Sequence, residues 1–534
     1  MPDVLNPITT EKLSTALHSG LRALAAWAPA VLIGIVWLAM LVSDLYFIRA
    51  YGRNVPYWED WEFVPRLTVE KVDAAWLFGQ HVEHRVPLPK LILLVLFKAT
   101  NLDFRAGLYF NVFGLALVAL ALILAARQVR GRTSYADVVF PLLLLNWGHW
   151  NNLVWNWQVQ FITSTLLGAA LLLLILVRGD RLTIGTALAI GICLVLLPLC
   201  GANGVALAPV AALWLGGAGV WSLMQREKGA KTAGIVALLF AAAALALTAG
   251  YSMGLQQSTV VARRPGFMPA VATFVAFLGA GFGRSDRSAD LVREALLPAA
   301  AWIALRLWLR RPLQAKEFVV LAFSVLLARG LQFQCESEHL PLPIPSRRTA
   351  WGIVAMAVTG ICVWLLGRSM IQRRGERLRS AGLLACLGGL AALGMGLAWG
   401  RAGALSDVHD TPRYYTLAVA LPCTVFLILE LYAPPRLLLL ARPLLVVAAL
   451  VMAWGNIDDG SKLADLRVKC LDGFRQDLQA GLPADVIVSR QQVGGVFVPP
   501  LVPIDYGRCL LMLRDAGHPE FQHVADNPAA SPER

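Results

Sequence analysis

The residues best suited to chemistry lie in a short polar run that follows the first long apolar segment. Residues 57–62 read YWEDWE and supply three carboxylates within six positions. Carboxylates such as Glu59 and Asp60, beside a membrane surface, can act as a general base on an acceptor hydroxyl or amide. They can also hold a divalent ion, Mg²⁺ or Mn²⁺, near a phosphate leaving group. A solvated acidic loop between two interfacial tryptophans is the competing interpretation.

A second polar run, HVEHRVP, occupies residues 81–87. His81 and His84 are spaced so that both would lie on one face of a helix, as two metal ligands could. The spacing fixes no third ligand, so a structural zinc site is disfavoured. Arg85 has the planar fork that binds phosphate, and Glu83 completes the group that we assign to substrate binding. A polar turn without a ligand is the alternative.

Indole and amide side chains are concentrated in residues 146–158, which read NWGHWNNLVWNWQ. Aromatic faces combined with neutral hydrogen-bonding groups suit a carbohydrate. We therefore assign His149, Asn152 and Trp155 to substrate binding. The alternative is an aromatic belt at the membrane interface. A belt would explain the tryptophans but not the four asparagines, the glutamine and the histidine of this run.

The composition identifies a polytopic membrane protein. Of 534 residues, 57% are hydrophobic and 15% are charged, whereas soluble proteins have about 25% charged residues. The net charge of +13 does not point to nucleic acid, and we expect no such partner. Much of this charge falls in short clusters between apolar runs, as expected for loops on the cytoplasmic side of a membrane.

The apolar runs predict thirteen membrane spans. They are expected at residues 25–48, 104–126, 135–148, 159–177, 182–200, 204–224, 232–252, 291–309, 317–333, 350–367, 381–399, 414–433 and 437–455. The segments 86–100 and 267–283 are interpreted as interfacial or re-entrant pieces. Basic clusters follow every even-numbered span, which places those loops and the N-terminus in the cytoplasm. The first loop (49–103) and the C-terminus would then lie outside.

The chain from residue 456 to residue 534 is more polar than the rest. We predict a small extracytoplasmic domain of α/β or mixed structure, which follows a transmembrane domain at residues 1–455. Roughly 80 residues are too few for a large independent enzyme. Cys470 and Cys509 would lie in an oxidising compartment and are expected to form a disulfide. Two unrelated buried thiols are the alternative, because the sequence does not show that their Cβ atoms meet.

Arginines near the outer ends of helices do not fit the excess of basic residues in cytoplasmic loops, so their position needs another explanation. The ones that we single out are Arg348, Arg401 and Arg413, the last followed by Tyr414. Arginine at such a position suits a lipid phosphate or pyrophosphate. Snorkelling of the side chain toward lipid headgroups is the alternative.

These features together resemble the GT-C superfamily of membrane glycosyltransferases. The resemblance rests on an acidic motif in the first outer loop, on the number of spans and on an extracytoplasmic C-terminal segment. Arg-x-Gly at residues 401–403, followed by Pro-Arg-Tyr at residues 412–414, is similar to a pattern in bacterial membrane proteins of this kind. The resemblance implies an all-α polytopic fold. It also implies that Asp60, directly before Trp61, is the catalytic acid and that Glu59 supports it or helps to hold a divalent ion.

The resemblance further implies an enzyme of the bacterial inner membrane. It would transfer a hexose or pentose from a polyprenyl-phosphate-linked donor to a glycan or lipid-linked acceptor. Membrane lipids are a further expected partner. Asp60 would deprotonate or orient the acceptor, while Arg413 and Arg348 would neutralise the lipid-phosphate leaving group.

Two other functions stay open. One is an O-antigen-ligase-like enzyme that moves a lipid-linked glycan whole, with outer arginines and a histidine but without Asp60. The other is a transporter or flippase of lipid-linked sugar, which is not an enzyme. A transporter should show polar residues at mid-membrane and inverted repeats, whereas here the polar residues gather at one face of the membrane.

Overall fold

The computed structural model describes residues 7–256, 266–283, 347–401, 412–491, 495–497 and 504–527. Side chains are described from Trp27 onward in the first of these segments and from Trp351 onward in the third. Within these ranges the chain is helical, with short 3-10 turns and no β-strand. The all-α architecture predicted from the sequence is therefore confirmed for the part of the chain that is described.

The described ranges contain nineteen α-helices. They are α1 (Pro7–Tyr51), α2 (Val64–Thr68), α3 (Ala74–Phe78), α4 (Pro87–Ala99), α5 (Ala106–Arg130), α6 (Val139–Leu144), α7 (Trp150–Val154), α8 (Val159–Arg178), α9 (Ile184–Leu196), α10 (Ala202–Leu223), α11 (Ala230–Ser252), α12 (Phe267–Gly279), α13 (Arg347–Gln372), α14 (Arg377–Arg401), α15 (Tyr415–Ala418), α16 (Ala420–Tyr432), α17 (Pro435–Gln479), α18 (Ala484–Gln491) and α19 (Tyr506–Asp515). Short 3-10 turns connect several of them, and one such turn, Trp58–Phe63, carries the acidic run.

Nine of the described helical segments are long and apolar enough to cross a membrane. They are Trp27–Tyr51, Ala106–Arg130, Asn156–Arg178, Ala202–Leu223, Ala230–Ser252, Trp351–Gln372, Arg374–Arg401, Pro412–Tyr432 and Pro435–Gln479. Each overlaps one predicted span, and the chain is therefore a multi-pass membrane protein. The predicted spans at residues 291–309 and 317–333 lie outside the described residues.

The remaining apolar segments form shorter helices. The predicted span at residues 182–200 corresponds to Ile184–Cys200, where α9 continues into a 3-10 turn, and this unit is shorter than the nine long helices. The two segments interpreted as interfacial or re-entrant form α4 and α12, each of 13 residues. A helix of 13 residues is about 20 Å long, which is less than the thickness of the hydrocarbon core.

The predicted third span, at residues 135–148, is not one continuous helix. These residues form a 3-10 turn, the six-residue helix α6 and the start of another 3-10 turn. The backbone leaves helical geometry at Leu145, where the Asn146 side-chain amide donates to the carbonyls of Leu142 and Leu143 at 2.9 Å each. These bonds satisfy backbone groups that a broken helix would otherwise leave open in an apolar interior.

Buried apolar side chains form two large clusters. One fills the membrane bundle and draws on α1, α5, α8, α10, α14 and α16. The other, which we call the outer core, combines side chains of residues 55–106, 155–159 and 471–524. The first loop, the tryptophan-rich segment and the C-terminal segment therefore share one apolar core.

The long helix α17 connects the bundle to the outer core. It runs without a break from Pro435 to Gln479, and 45 residues of helix span roughly 70 Å. This length exceeds the hydrocarbon core, so the far part of α17 projects beyond the membrane. The predicted domain boundary between residues 455 and 456 falls inside this helix. The described residues after it are helical and contain no strand, in contrast to the α/β or mixed structure predicted for them.

The predicted disulfide between Cys470 and Cys509 is wrong. Both residues are free thiols, Cys470 exposed on α17 and Cys509 buried on α19. The C-terminal segment is held instead by apolar packing in the outer core, to which Cys509 contributes as a small apolar side chain.

A buried ionic network closes the opposite end of the bundle. At the end of α5, Arg130 contacts Asp137 and also Glu430 of α16, at 3.1 Å from the latter. Arg442 of α17 makes a bidentate pair with Glu430, with both N···O distances at 2.7 Å. The Glu430 side chain has no exposed surface. Charges that are buried in this way persist only when they are paired and hydrogen-bonded.

Two glycines of α17 provide a test of this packing. A Cβ at Gly460 would lie 2.3 Å from the Trp147 carbonyl oxygen, whereas a Cβ at Gly473 would meet no atom within 4 Å. We expect Gly460→Ala to lower the free energy of unfolding by about 1–3 kcal/mol through overpacking. Gly473→Ala should raise it by about 0.4–1 kcal/mol, because it only reduces backbone entropy in the unfolded chain. Denaturation of both purified variants in detergent would measure the difference, and equal effects would contradict the close approach at Gly460.

Candidate functional site

The acidic run is positioned by Trp61. This side chain has no exposed surface. Its ring lies 5.3–6.2 Å from the rings of four residues of the C-terminal segment, measured between centroids. These are Phe474, Phe497, Tyr506 and Phe521. Aromatic pairs at such distances are favourable beyond the area that they bury. Trp61 therefore fixes the turn Trp58–Phe63 on the outer core and is a core residue, not an interfacial anchor.

Asp60 precedes Trp61 in the same turn and is fully buried. Its Oδ2 accepts from the Asn156 side-chain amide at 2.9 Å and from the Tyr57 backbone N–H at 3.3 Å. Its Oδ1 has no partner among the described residues. Burial raises the pKa of Asp60 to about 7, against the opposing effects of the Asn156 and Tyr57 bonds. A carboxyl group with a pKa near neutrality is well matched to general acid–base work.

Glu59 is the more accessible of the two candidate acids. It is half-buried, and one carboxylate oxygen, Oε2, has no partner among the described residues. Burial raises the pKa of Glu59, while the charges of His81 and Arg413 act in the opposite direction. Glu59 therefore shares an electrostatic environment with an arginine more than 350 positions later in the sequence.

A single short segment joins Asp60 to Arg413. Asn156 donates to Asp60, and Asn152 donates to the Arg413 carbonyl at 3.2 Å and to the Thr416 hydroxyl. Between them, the Trp155 ring lies 5.9 Å from the Arg413 guanidinium carbon. The segment that we assigned to carbohydrate binding thus connects the acid to the arginine.

Arg413 is half-buried, and its guanidinium makes aromatic contacts. In addition to Trp155, it lies 5.3 Å from the centroid of the Tyr414 ring. Its Nε has no hydrogen-bond partner among the described residues. The Tyr414 ring itself packs edge-on against Phe161. An arginine on aromatic faces keeps its planar fork available for an anion.

His149 is a structural residue in this arrangement. It is buried, its Nε2–H donates to the Leu143 carbonyl at 2.9 Å, and its Nδ1 faces the Thr416 hydroxyl at 3.3 Å. Burial lowers the pKa of His149 to about 4, so the imidazole is neutral at physiological pH. Its bonds hold the tryptophan-rich segment to α15.

The second polar run forms a tight turn instead of a helix. The backbones of His81 and His84 exchange two hydrogen bonds, at 2.7 and 2.8 Å, around Val82 with φ of 50°. The helical face predicted from the i, i+3 spacing is therefore wrong. Among the described residues, no group of three or more His, Cys, Asp or Glu side chains is arranged to hold a metal ion.

The two histidines of this turn have different partners. His81 Nδ1 lies 2.5 Å from Glu62, which also pairs with Lys90 at 2.6 Å. Burial alone would raise the pKa of Glu62, but the His81 bond and the Lys90 charge outweigh it and lower this pKa to about 2. His84 faces Arg401, with 3.5 Å between Nε2 and Nη2. Burial and the Arg401 charge lower the pKa of His84 to about 3.

The other predicted site residues are placed differently. Glu83 pairs with Arg401 at 2.9 Å, so Arg401 is bound to the first loop. Arg85 donates to the carbonyls of Gly250 and Tyr251 at the end of α11, at 3.4 and 3.0 Å. The side chain of Arg348 lies outside the described residues.

Two cationic residues of this region were not identified from the sequence. Lys90 is 1% exposed, and it was recognisable as the one charged side chain in the apolar run of residues 86–97. Arg467 of α17 is 9% exposed. Its guanidinium carbon lies 3.6 Å from the centroid of the Tyr57 ring, next to the acidic turn. The sequence around Arg467 does not predict this contact, because only the folded helix α17 brings Arg467 next to the first loop.

Comparisons with protein-family models, with curated proteins and with solved structures find no match to this chain. The function is therefore inferred from the chemistry of the residues that the fold brings together. These are a buried acid, a half-buried acid, a half-buried arginine and a group of aromatic and amide side chains.

The Lys90–Glu62–His81 contacts generate a stability prediction. Lys90→Met leaves Glu62 buried without its cation and should lower the free energy of unfolding by about 3–5 kcal/mol. The double variant Glu62→Gln/Lys90→Met removes both charges and should recover most of that loss. Lys462→Met is the control, because Lys462 and its partner Asp458 are 62% and 52% exposed, and such pairs contribute about 0–1 kcal/mol. Equal losses for Lys90→Met and Lys462→Met would show that the buried pair has no special weight.

Proposed function

We propose that this chain is a GT-C-like glycosyltransferase that transfers a sugar from a polyprenyl-phosphate-linked donor to an acceptor at the outer face of the membrane. The observation that carries the proposal is the joining of Asp60 and Arg413 by residues 152–156. A base for the acceptor and a cation for the phosphate are the two groups that this transfer requires. Aromatic and amide side chains between them suit a sugar.

In the proposed reaction the acceptor hydroxyl attacks the anomeric carbon of the donor sugar. Asp60 takes the hydroxyl proton while the new C–O bond forms. The bond between the anomeric carbon and the phosphate oxygen breaks on the opposite side, and its electron pair leaves with the lipid phosphate. Arg413 stabilises the charge on that phosphate. One displacement of this kind inverts the anomeric centre.

The two acids have different accessibility, and this defines their proposed roles. Asp60 has no exposed surface. Side chains around Asp60 therefore have to move before an acceptor can reach it. Glu59 is half-buried and is the acid that a substrate meets first. Glu59 supports Asp60. If the reaction uses a divalent cation, Glu59 and Asp60 would bind it together. The acceptor is a glycan or lipid-linked sugar.

A ligase that transfers a lipid-linked glycan whole is the second candidate. The observation that favours it is the pair formed by Arg401 and His84, because such a ligase would use an outer arginine and a histidine and would not need Asp60. A substitution at Asp60 therefore distinguishes the two reactions.

The proposed location is the bacterial inner membrane, with thirteen spans, the N-terminus in the cytoplasm and the C-terminus in the periplasm. Basic residues at the ends of α5 and α8 support this orientation. The acidic turn lies near the other end of α5, where the Asn156 amide that binds Asp60 also donates to the Phe104 carbonyl. The site would therefore face the periplasm, where the C-terminal segment forms its wall.

Asp60→Asn tests the catalytic role. The amide keeps the shape and can still accept from Asn156, but it cannot take a proton. Transfer in a purified assay should fall by about 100-fold or more. The variant should be at least as stable as the parent at neutral pH, because burial disfavours the charged form of Asp60. Glu70→Gln, an acid of the same loop outside the cluster, is the control, and near-normal transfer by Asp60→Asn would favour the ligase.

Arg413→Ala tests the phosphate role. Removal of the guanidinium should weaken binding of polyprenyl phosphate by about 10-fold or more, as expected for a lost charge-assisted contact of 1.5–3 kcal/mol, and should leave free-sugar binding nearly unchanged. Arg508→Ala is the control for net charge, because this outer arginine is 59% exposed and lies 3.9 Å from Glu70. Binding to lipid-reconstituted protein would be measured for both probes. If the two probes lose affinity equally, Arg413 does not bind the phosphate.

A further inference from the structure

The first residue of the acidic turn, Trp58, has an unusual backbone conformation. Its φ is 52°, in the left-handed region. Bulky side chains rarely adopt this region, because the Cβ atom approaches the carbonyl oxygen too closely. Residues held in such a conformation are concentrated at ligand sites, where the surrounding structure enforces them. The neighbouring Trp61 is, by contrast, an ordinary core side chain.

The C-terminal segment holds Trp58 in place. The Trp58 backbone N–H donates to the Val496 carbonyl at 3.1 Å, and the indole Nε1–H donates to the Gly495 carbonyl at 2.7 Å. Both N–H donors of the residue are thus satisfied by two successive carbonyls of the same segment. The strained conformation is therefore held by the local turn, in which the Asp60 backbone N–H donates to the Tyr57 carbonyl at 3.1 Å, and by two hydrogen bonds from a distant part of the chain.

The Trp58 indole belongs to an ordered stack of rings. It lies nearly parallel to the Tyr57 ring, with 5.5 Å between centroids and 15° between planes. The Trp155 ring meets both rings edge-on, at 5.2 and 5.8 Å. Arg467 covers Tyr57, while Trp58 retains solvent-accessible surface. These contacts fix the orientation of the partly exposed Trp58 ring, which lies next to Glu59.

We propose that the Trp58 indole is the platform on which the pyranose ring of the transferred sugar binds, and that the carbonyls of Gly495 and Val496 set its orientation. A pyranose has one face of C–H groups, which suits an aromatic plane, and a rim of hydroxyls, which requires polar neighbours. Glu59 and the Arg413 on Trp155 supply such neighbours. This inference rests on the proposed function for the identity of the sugar as the transferred group.

Substitutions can separate the ring from the backbone strain. Trp58→Ala removes the ring and keeps a side chain at positive φ, whereas Trp58→Gly removes the ring and relieves the strain. Trp58→Phe keeps an aromatic face. We expect both Ala and Gly variants to bind polyprenyl-phosphate glucose roughly 3- to 10-fold more weakly, as expected for the loss of an aromatic contact. The Phe variant should stay close to the parent. Polyprenyl phosphate without a sugar should bind all four proteins equally.

Thermal unfolding of the same variants provides the check on structure. The Gly variant should be more stable than the Ala variant although both lose sugar affinity. If affinity instead follows stability, so that Gly restores what Ala loses, Trp58 has a structural role only and the platform is overturned. If the sugar-bearing and sugar-free lipids lose affinity together, the platform is also overturned.

A lipid-free experiment separates this inference from the proposed function. Hydroxyl-radical oxidation of the full chain would be followed by mass spectrometry, with methyl glycosides of glucose, galactose, mannose and xylose as probes. At least one should protect Trp58, glycerol should not, and the buried Trp61 should stay unmodified throughout. Protection by a glycoside without any preference for lipid phosphate would support the platform and reject the lipid-phosphate donor. Absence of protection by every glycoside would reject the platform even if lipid phosphate binds at Arg413.

Discussion

Trp61 has no exposed surface because the C-terminal segment surrounds it with aromatic rings, and the candidate site depends on this packing. Two of those rings belong to Phe474 and Phe521, more than 400 positions later in the chain. Burial of a tryptophan among aromatic rings is one of the largest apolar contributions that a single side chain can make. It fixes the turn that carries Glu59 and Asp60, so the acids are located by a contact that involves neither of them.

Two nearby carboxyl groups have opposite pKa shifts because different side chains pair with them. Glu62 and Asp60 are two positions apart and both are largely buried. Glu62 meets His81 and Lys90, and its pKa falls to about 2, whereas Asp60 meets mainly neutral donors and its pKa rises to about 7. Neighbouring carboxyls whose environments separate their pKa values in this way commonly divide acid–base work from structural work. Glu62 then holds the loop together, and Asp60 is the group that can exchange a proton.

The sequence was sufficient for the features that depend on composition along the chain. Long apolar runs identify the helices that cross the membrane, because length and hydropathy alone decide that property. At residues 135–148 the apolar composition predicts a continuous spanning helix, but the structure breaks that helix after Leu144. A single amide, Asn146, allows its helix to end inside the protein. Hydropathy does not detect a break that is satisfied by one side chain.

Features that depend on contacts between distant segments were harder to predict. The spacing of His81 and His84 suggested a helical face, but Val82 at positive φ turns the chain back on itself. A disulfide between Cys470 and Cys509 was expected to stabilise a small separate domain. The C-terminal segment is instead stabilised by the outer core, which it shares with the first loop. Arg467 has no local signature at all, because its partner Tyr57 is about 400 positions away.

These observations change how the C-terminal segment should be regarded. A helix that continues across residues 455 and 456, together with a core shared with the first loop, makes this segment part of the site. Its residues cover Trp61, place Arg467 over Tyr57 and accept from both N–H donors of Trp58. The orientation of the Trp58 ring therefore depends on Gly495 and Val496 and not on the acids. The carboxylates are held by core packing, whereas the aromatic face beside them is oriented by two hydrogen bonds at the edge of that core.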